Sequence, residues 1–329
     1  MTSSEAKPKR KPFVWLAAFI VLLFGGYSVL WFVLADRLQT ATERAIASLN
    51  HDDVVAQCVN PEVNGFPFRL GVSCDSLSFE DPAQGIAATA GGLRTAAQVY
   101  APSQSIAELD GPLRVAAPGL PPLWLDWDRL RASIRLARPL PERLSVEAEG
   151  LSAATDPEEE EAIQLFSAEK AESHWRPNGA DVDWAASVAG LQLDPAAAGG
   201  HSLPPVSGSL DMTVTDGVAA IARREQSLRG RAGTVRSLEL SFGPSTGLAL
   251  SGPFSVDQEG LLDARLKIVL RDPQGLAGQL SGAFPEVRDQ IAAAASALAT
   301  LGASGLPVRI DKGRAMLGFI PLGKVPPLP

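Results

Sequence analysis

Histidine, cysteine and aromatic side chains are all scarce in this chain, and each shortage removes a class of function. There are three histidines in 329 residues, His51, His174 and His201. Histidine is the commonest general base, and none of the three has a second ligand at metal-binding spacing. His51 sits beside Asp52 and Asp53 at an expected helix end, where it serves as a dipole partner. His174 lies on an apparent strand between Ser173 and Trp175, near Arg176, and His201 follows Gly199-Gly200 in a loop. The chain also lacks a phosphate-binding loop with Lys-Ser/Thr, a dinucleotide fingerprint and a CxxC pair. Gly243-Pro244-Ser245-Thr246-Gly247 spells G-x-S-x-G, but a nucleophile elbow needs a strand before it and a helix after it. Here the strand at 238–242 meets Leu248-Ala249-Leu250-Ser251 and then Gly252-Pro253, so the motif reads as a hairpin turn. The expectation is a protein without catalytic residues, metal or cofactor.

The two cysteines are Cys58 and Cys74. Without a second pair nearby they make a poor zinc site. A structural disulfide is the preferred reading, worth about 3 kcal/mol for a loop of roughly 15 residues. Aromatics make up only 6%, so Leu, Val and Ala must fill the apolar interior. Hydrophobic residues at 46% exclude general disorder. A net charge of −8 argues against nucleic acid as a partner.

Charge is missing altogether from residues 13–35. A helix of that length reaches about 34 Å, enough for a hydrocarbon core of about 30 Å. Lys7, Lys9, Arg10 and Lys11 precede it, and basic flanks stay on the cytoplasmic side. The rest of the chain is then expected across an inner membrane, in the periplasm. The competing reading is a cleaved signal peptide, whose apolar core runs about 7–15 residues; Val33-Leu34-Ala35 resembles its cleavage site. Glycine and proline are absent from 27–60, so the helix should continue to about Asn50. Leu38, Ala41, Ala45 and Leu49 form the stripe expected to face the exported domain.

Beyond the anchor, alternation of apolar and polar residues dominates. It is seen at Phe68/Leu70/Val72/Cys74, Ala132/Ile134/Leu136, Leu144/Val146/Ala148, Val182/Trp184/Ala186, Leu210/Met212/Val214 and Leu238/Leu240/Phe242. The longest run is Leu262, Ala264, Leu266, Ile268 and Leu270. One apolar and one wet face is the pattern of antiparallel sheets. Helices are expected at 285–301, where Val287, Ile291, Ala295, Leu298 and Leu301 share a side, and more briefly at 272–280 and 218–228. The acidic run at 156–161 reads as a solvated loop, and 153–161 and 196–205 read as connections. Arg223, Arg224, Arg229 and Arg231 form a local basic patch, read as a solvated face. Residues 306–318 read as a hairpin, followed by a proline-rich extended tail.

The expected fold class is α+β and β-rich: an N-terminal transmembrane helix running into an amphipathic helix, then a large curved antiparallel sheet with one or two packed helices. The expected division is a basic cytoplasmic N-terminus at 1–11, an anchor at 12–35, an amphipathic helix at 36–50 and an exported domain at 51–329. A subdivision is expected, if anywhere, near 196–205.

Several segments carry a family resemblance. Gly65-Phe66-Pro67-Phe68-Arg69 with Cys74 is the most specific, joined by Val99-Tyr100-Ala101-Pro102, Trp127-Asp128-Arg129-Leu130, residues 248–270, and 307–327 with Ile320-Pro321-Leu322-Gly323. In these the chain resembles the bacterial envelope family known as domain of unknown function 2125. The resemblance implies an anchored, β-rich exported protein and brings no catalytic residues. The layout is also similar to that of AsmA-type lipid-bridging proteins, an analogy of fold alone.

Two functions are consistent with these features. The first is a non-enzymatic structural or scaffolding role, with another envelope protein bound at a strand edge or at the tail 320–329. The second is lipid binding or transfer along an apolar sheet face, with Leu262, Leu266, Ile268 and Leu270 as candidate groove residues. A hydrolase is a minor third. The expected partners are the inner membrane, lipid or an envelope protein, and no nucleic acid.

Overall fold

The computed structural model describes residues 10–328 apart from 52, 156–161, 224, 226, 301–304 and 319. Lys7, Lys9, the acidic run at 156–161, Arg224 and Leu301 therefore lie outside the described residues. Helix α1 (Arg10–Leu49) is continuous. It is long and apolar enough to cross a membrane, and at 1.5 Å per residue it extends about 60 Å. Its packed stripe differs from the expected one. Trp31 and Ala35 are buried and Leu38, Thr42 and Ile46 half-buried, whereas Ala41, Ala45 and Leu49 are exposed. Hydrophobicity alone selected the second row. The contact is instead set by Trp31, whose indole Nε1 donates to the Arg69 carbonyl at 2.8 Å and whose ring meets Phe66 edge-on at 5.3 Å.

The strands form one open antiparallel sheet. Its first five long strands are each broken near the middle: β1 (Val55–Cys58) with β2 (Glu62–Asn64), β3 (Arg69–Cys74) with β4 (Leu77–Asp81), β5 (Ile86–Ala90) with β6 (Leu93–Gln98), β7 (Ala101–Leu109) with β8 (Leu113–Ala116), and β9 (Leu123–Asp126) with β10 (Arg129–Arg135). Unbroken strands follow: β11 (Arg143–Thr155), β12 (Gln164–Asn178), β13 (Asp181–Leu193), β14 (Val206–Val214), β15 (Ala232–Ser241), β16 (Gly247–Val256) and β17 (Leu262–Arg271). The last three are β18 (Leu306–Asp311), β19 (Arg314–Leu317) and β20 (Ile320–Lys324). Each long strand pairs with the one before and the one after it in the chain, from β1/β2 at one edge to β20 at the other. The fold is thus an up-and-down meander, in which short polar turns suffice to connect neighbours.

The breaks fall at one level: residues 59–61, 75–76, 91–92, 110–112 and 127–128, continuing into β11 at Gly150. Backbone hydrogen bonds carry the sheet across this crease, including Val59 N to Ser76 O at 3.0 Å, Gly91 N to Asp110 O at 3.1 Å and Asp128 N to Glu149 O at 2.9 Å. The apolar positions change parity there. Leu70, Val72 and Cys74 give way to Leu77 and Phe79, and Leu144, Val146 and Ala148 give way to Leu151 and Ala153. A one-residue change of parity would send a regular strand's apolar set to the opposite face, so the backbone must depart from regular geometry. Gly150 has φ +62°, and a Cβ there would lie 2.2 Å from Asp128 Oδ2. Cys58 and Cys74, at disulfide distance with Cα atoms 5.4 Å apart, straddle the crease. Their bond puts both side chains on one side of the sheet.

Other differences are local. Ala153 is a buried strand residue, so the connection expected from 153 begins after β11 ends. Helix α2 (Gly217–Ala222) stops six residues short of the expected end, and α3 (Pro273–Ala283) and α4 (Arg288–Thr300) flank a 3-10 turn at Pro285–Val287. Asp272 caps α3, accepting from Gly275 N at 2.9 Å. Among the described residues α3 and α4 pack mainly on each other and not across the sheet. The tail is tied down, with β20 on β19, Val325 N on Gly313 O at 2.7 Å and Leu328 N on Gly260 O at 2.8 Å.

Candidate functional site

Register decides which side chains share a face, because residues directly opposite in a sheet point the same way. Starting from Leu144, the row continues through Trp175, Trp184, Met212, Val235 and Gly252. A second row joins Leu130, Ala148, Ala171, Val188, Gly208, Leu240, Leu248 and Leu270. A third ends Leu210, Leu238, Leu250, Ile268, Leu306. The second row continues from Leu130 through Leu109 and Leu93 to Cys74 on β3, and Val308 pairs with Leu317 on β19, so one apolar face runs from β3 to β19. Two indoles, Trp175 and Trp184, stack on it at 4.8 Å, and both Nε1 atoms donate to Ser173 Oγ, at 2.9 and 3.0 Å. The one polar side chain in that stretch is thereby satisfied.

Leu262, Leu266, Ile268 and Leu270 all lie on this face and are half-buried. The first three pack against a small buried cluster, Ala264, Val308 and Ile310, with Phe254, Ala315, Leu317 and Val325 around it. No large side chain anywhere among the described residues is fully buried. The extensive contacts between strands are between sheet neighbours, and α1 makes its main contacts with β1, β2 and β3. Among the described residues the large side chains of the apolar face are half-buried, sheltered by their neighbours in the sheet.

The opposite face is charged. Arg131 meets Glu108 at 2.7 Å, Arg129 meets Glu149 at 2.6 Å, and Lys170 meets Glu172 at 2.6 Å. At its centre Asp183, 5% exposed, accepts from Arg236 at 2.9 Å, Thr213 at 2.8 Å and Arg176 at 3.0 Å. Burial pushes its carboxyl pKa up, but the hydrogen bonds from Arg236, Thr213 and Arg176 outweigh that and hold it well below the ordinary carboxylate range. Arg236 also grips Asp211, which is held low in turn.

The remaining motifs resolve into structure. Thr246 of the G-x-S-x-G run is 4% exposed, and its carbonyl accepts from Phe242 N at 2.9 Å, which is a β15–β16 turn with no helix behind it. His201 Nδ1 lies 2.9 Å from the Ala283 carbonyl and its ring sits 4.6 Å from Phe284, joining the 196–205 loop to α3. His174 stands opposite Ser145 and Ala185 on the charged face. In the basic patch Arg223 and Arg231 both pair with Glu225, and Arg229 Nε donates to the Leu328 carbonyl at 3.3 Å.

Sequence reading missed two features. The crease is written in the chain as a change of parity in the apolar alternation, with Gly91-Gly92, Gly111-Pro112 and Gly150 beside it. The charged face was visible only as the residues left over from the apolar alternation.

An apolar helix able to span a membrane, leading directly into an open antiparallel meander with one apolar and one charged face, defines the class of this protein. The chain belongs to the bacterial family described as "Uncharacterized protein conserved in bacteria (DUF2125)", whose sequence model matches residues 31–326. No curated protein matches it.

Proposed function

We propose that this protein is a non-enzymatic, membrane-anchored envelope protein that binds lipid acyl chains along the apolar face of its sheet, with 36–329 on the periplasmic side. The observation that supports it is the half-buried apolar face running from β3 to β19, in which no large side chain among the described residues is fully buried. Its large side chains are half-buried, neither exposed nor fully covered, and apolar area left to water is unfavourable by about 25 cal/mol per Å2, so further cover is favoured. Acyl chains suit it because they need no hydrogen bonds and tolerate a long uniform surface. Helix α1 brings β1, β2 and β3 to the bilayer, so the face begins beside a source of lipid. The orientation follows from the basic residues before the apolar span.

The test is native mass spectrometry of the full chain in mild detergent, with lipid extraction of the same sample. Stoichiometric lipid in the wild type, lost in a folded Ile268→Glu or Leu266→Glu variant, is the expected result. A ligand-free wild type would end this reading, and a variant that unfolds would assign the face to the interior.

Scaffolding keeps one supporting observation. The outer edge of β20 has no partner strand among the described residues, with Ile320 and Leu322 45% and 54% exposed, a geometry that accepts an added strand. Pro321 lies within it and lacks an N–H, which blunts such pairing.

A further inference from the structure

At the end of the sheet nearest the apolar span, the charged face carries a cleft of about 620 Å3. Its floor is a row assembled from distant parts of the chain: Arg69 opposite Gln98, then Arg135 opposite both Gln104 and Arg143, with Arg176 on the next strand. Four arginines line it against one carboxylate, Glu142. Glu142 reaches Arg135 only at 3.5 Å, with both side chains mostly in solvent. Arg176 is held by Asp183. Arg69 and Arg143 make no ion pair with any described residue.

Like charges directly opposite in a sheet are destabilising, so the Arg135–Arg143 pair calls for an anion. The same sheet has an internal comparison. Arg265 stands opposite Arg309 in the same way, but Asp263 and Asp311 line that cleft and Asp311 meets Arg309 at 3.3 Å. The charge is balanced there and not at the α1 end.

Position supplies the second observation. The 65–69 loop is clamped to the C-terminal part of the apolar span, by Tyr27 Oη donating to the Pro67 carbonyl and Trp31 Nε1 to the Arg69 carbonyl. Phe68 and Tyr100 are 66% and 76% exposed beside the cleft, joined through Val99 N and Phe68 O at 3.1 Å. Exposed aromatic rings flanking a membrane helix sit at the headgroup level, and planar guanidinium groups match phosphate oxygens two at a time.

We propose that this cleft binds the phosphate of an anionic phospholipid headgroup at the membrane surface, through Arg69, Arg135 and Arg143. The proposal rests on α1 crossing the membrane and not on the apolar face taking acyl chains. Strands β3 to β12 would thereby be held upright against the bilayer.

The test titrates the full chain in nonionic detergent with dioctanoyl phosphatidylglycerol, dioctanoyl phosphatidylcholine and inorganic phosphate, read by native mass spectrometry. Phosphatidylglycerol should bind one per chain, at least about tenfold tighter than phosphatidylcholine, and Arg69→Gln/Arg143→Gln should lose at least about tenfold. Arg265→Gln/Arg309→Gln, which removes the same charge from the same face, should bind as the wild type does. Glu142→Gln should bind more tightly, a gain that misfolding cannot mimic. Equal affinity for the two lipids, or an unaffected Arg69/Arg143 double variant, overturns the proposal. Displacement of phosphatidylglycerol by millimolar inorganic phosphate overturns the lipid source and assigns the cleft to free phosphate. Lipid loss on Ile268→Glu with headgroup selectivity intact separates this site from the apolar face.

Discussion

The two faces of this sheet are made by the same strands and stabilised in opposite ways. On the apolar face, contact is broad and shallow: side chains touch in-plane neighbours, and burial is complete nowhere among the large residues. On the charged face, contact is narrow and deep: Asp183 is buried more fully than any leucine among the described residues, and three donors converge on it. An ordinary domain reverses this, with depth on the apolar side. The difference teaches that the meander is held as a sheet mainly by backbone pairing and cross-strand contacts, with its apolar side only half-buried.

The comparison fails or sharpens at four places. The largest effect is expected for Asp183→Ala, which removes the acceptor of hydrogen bonds from Arg176, Thr213 and Arg236 and leaves Arg236 with Asp211 as its carboxylate partner; hydrogen bonds to charged groups are worth about 1.5–3 kcal/mol each, so a loss of about 3–5 kcal/mol is expected, read by urea unfolding of the full chain in detergent. A loss under about 1 kcal/mol would mean the charged face contributes little. The same carboxyl sets a pH dependence. Its pKa is lower in the fold than its unfolded value near 3.9, so its contribution is full above that value and is lost as the pH falls below it. Asp183→Asn should flatten the stability profile below about pH 4, and an unchanged acid limb would contradict the assignment.

Next comes Cys58→Ser. Opening the bond across the crease should cost about 3 kcal/mol, and hydrogen exchange should rise first in β1 to β4. Protection unchanged in those strands would show that the crease holds without the bond.

Leu250→Ala, on the apolar face, should cost only about 1–2 kcal/mol. The range for leucines in close-packed interiors is about 2–5 kcal/mol, and a value at its upper end would reveal a covering layer over this face. The smallest effect is expected for Glu149→Gln, whose partner Arg129 is about half exposed. Such surface pairs are worth about 0.2–1 kcal/mol, and a larger loss in thermal melts would extend the deep network beyond Asp183.

Much of this fold was legible along the chain. The alternations at 144–148, 182–186, 210–214, 238–242 and 262–270 became strands, because a half-buried strand repeats every two residues and nothing else does. The span before Ala35 was legible from its lack of charge. The amphipathic stripe was misplaced, since Ala41, Ala45 and Leu49 are apolar enough to qualify and only the edge strands select Trp31, Ala35, Leu38, Thr42 and Ile46 instead. The candidate residues Leu262, Leu266, Ile268 and Leu270 were found as one face, yet alternation has the same period for a groove and for an interior, so their sheltering by Ala264, Val308 and Ile310 had to come from the structure.

What the sequence by itself determined is local: a charge-free helix long enough for a bilayer, two cysteines close enough in the chain to pair, and strands with one apolar side. These follow from periodicity and composition within a few residues. What only the tertiary structure decided is which distant residues stand together. The joining of Arg69, Arg135, Arg143 and Arg176 in one cleft and the convergence of Arg176, Thr213 and Arg236 on Asp183 both depend on register. Register is a property of paired strands, and a single strand's side-chain pattern repeats identically whether its neighbour begins two residues earlier or later.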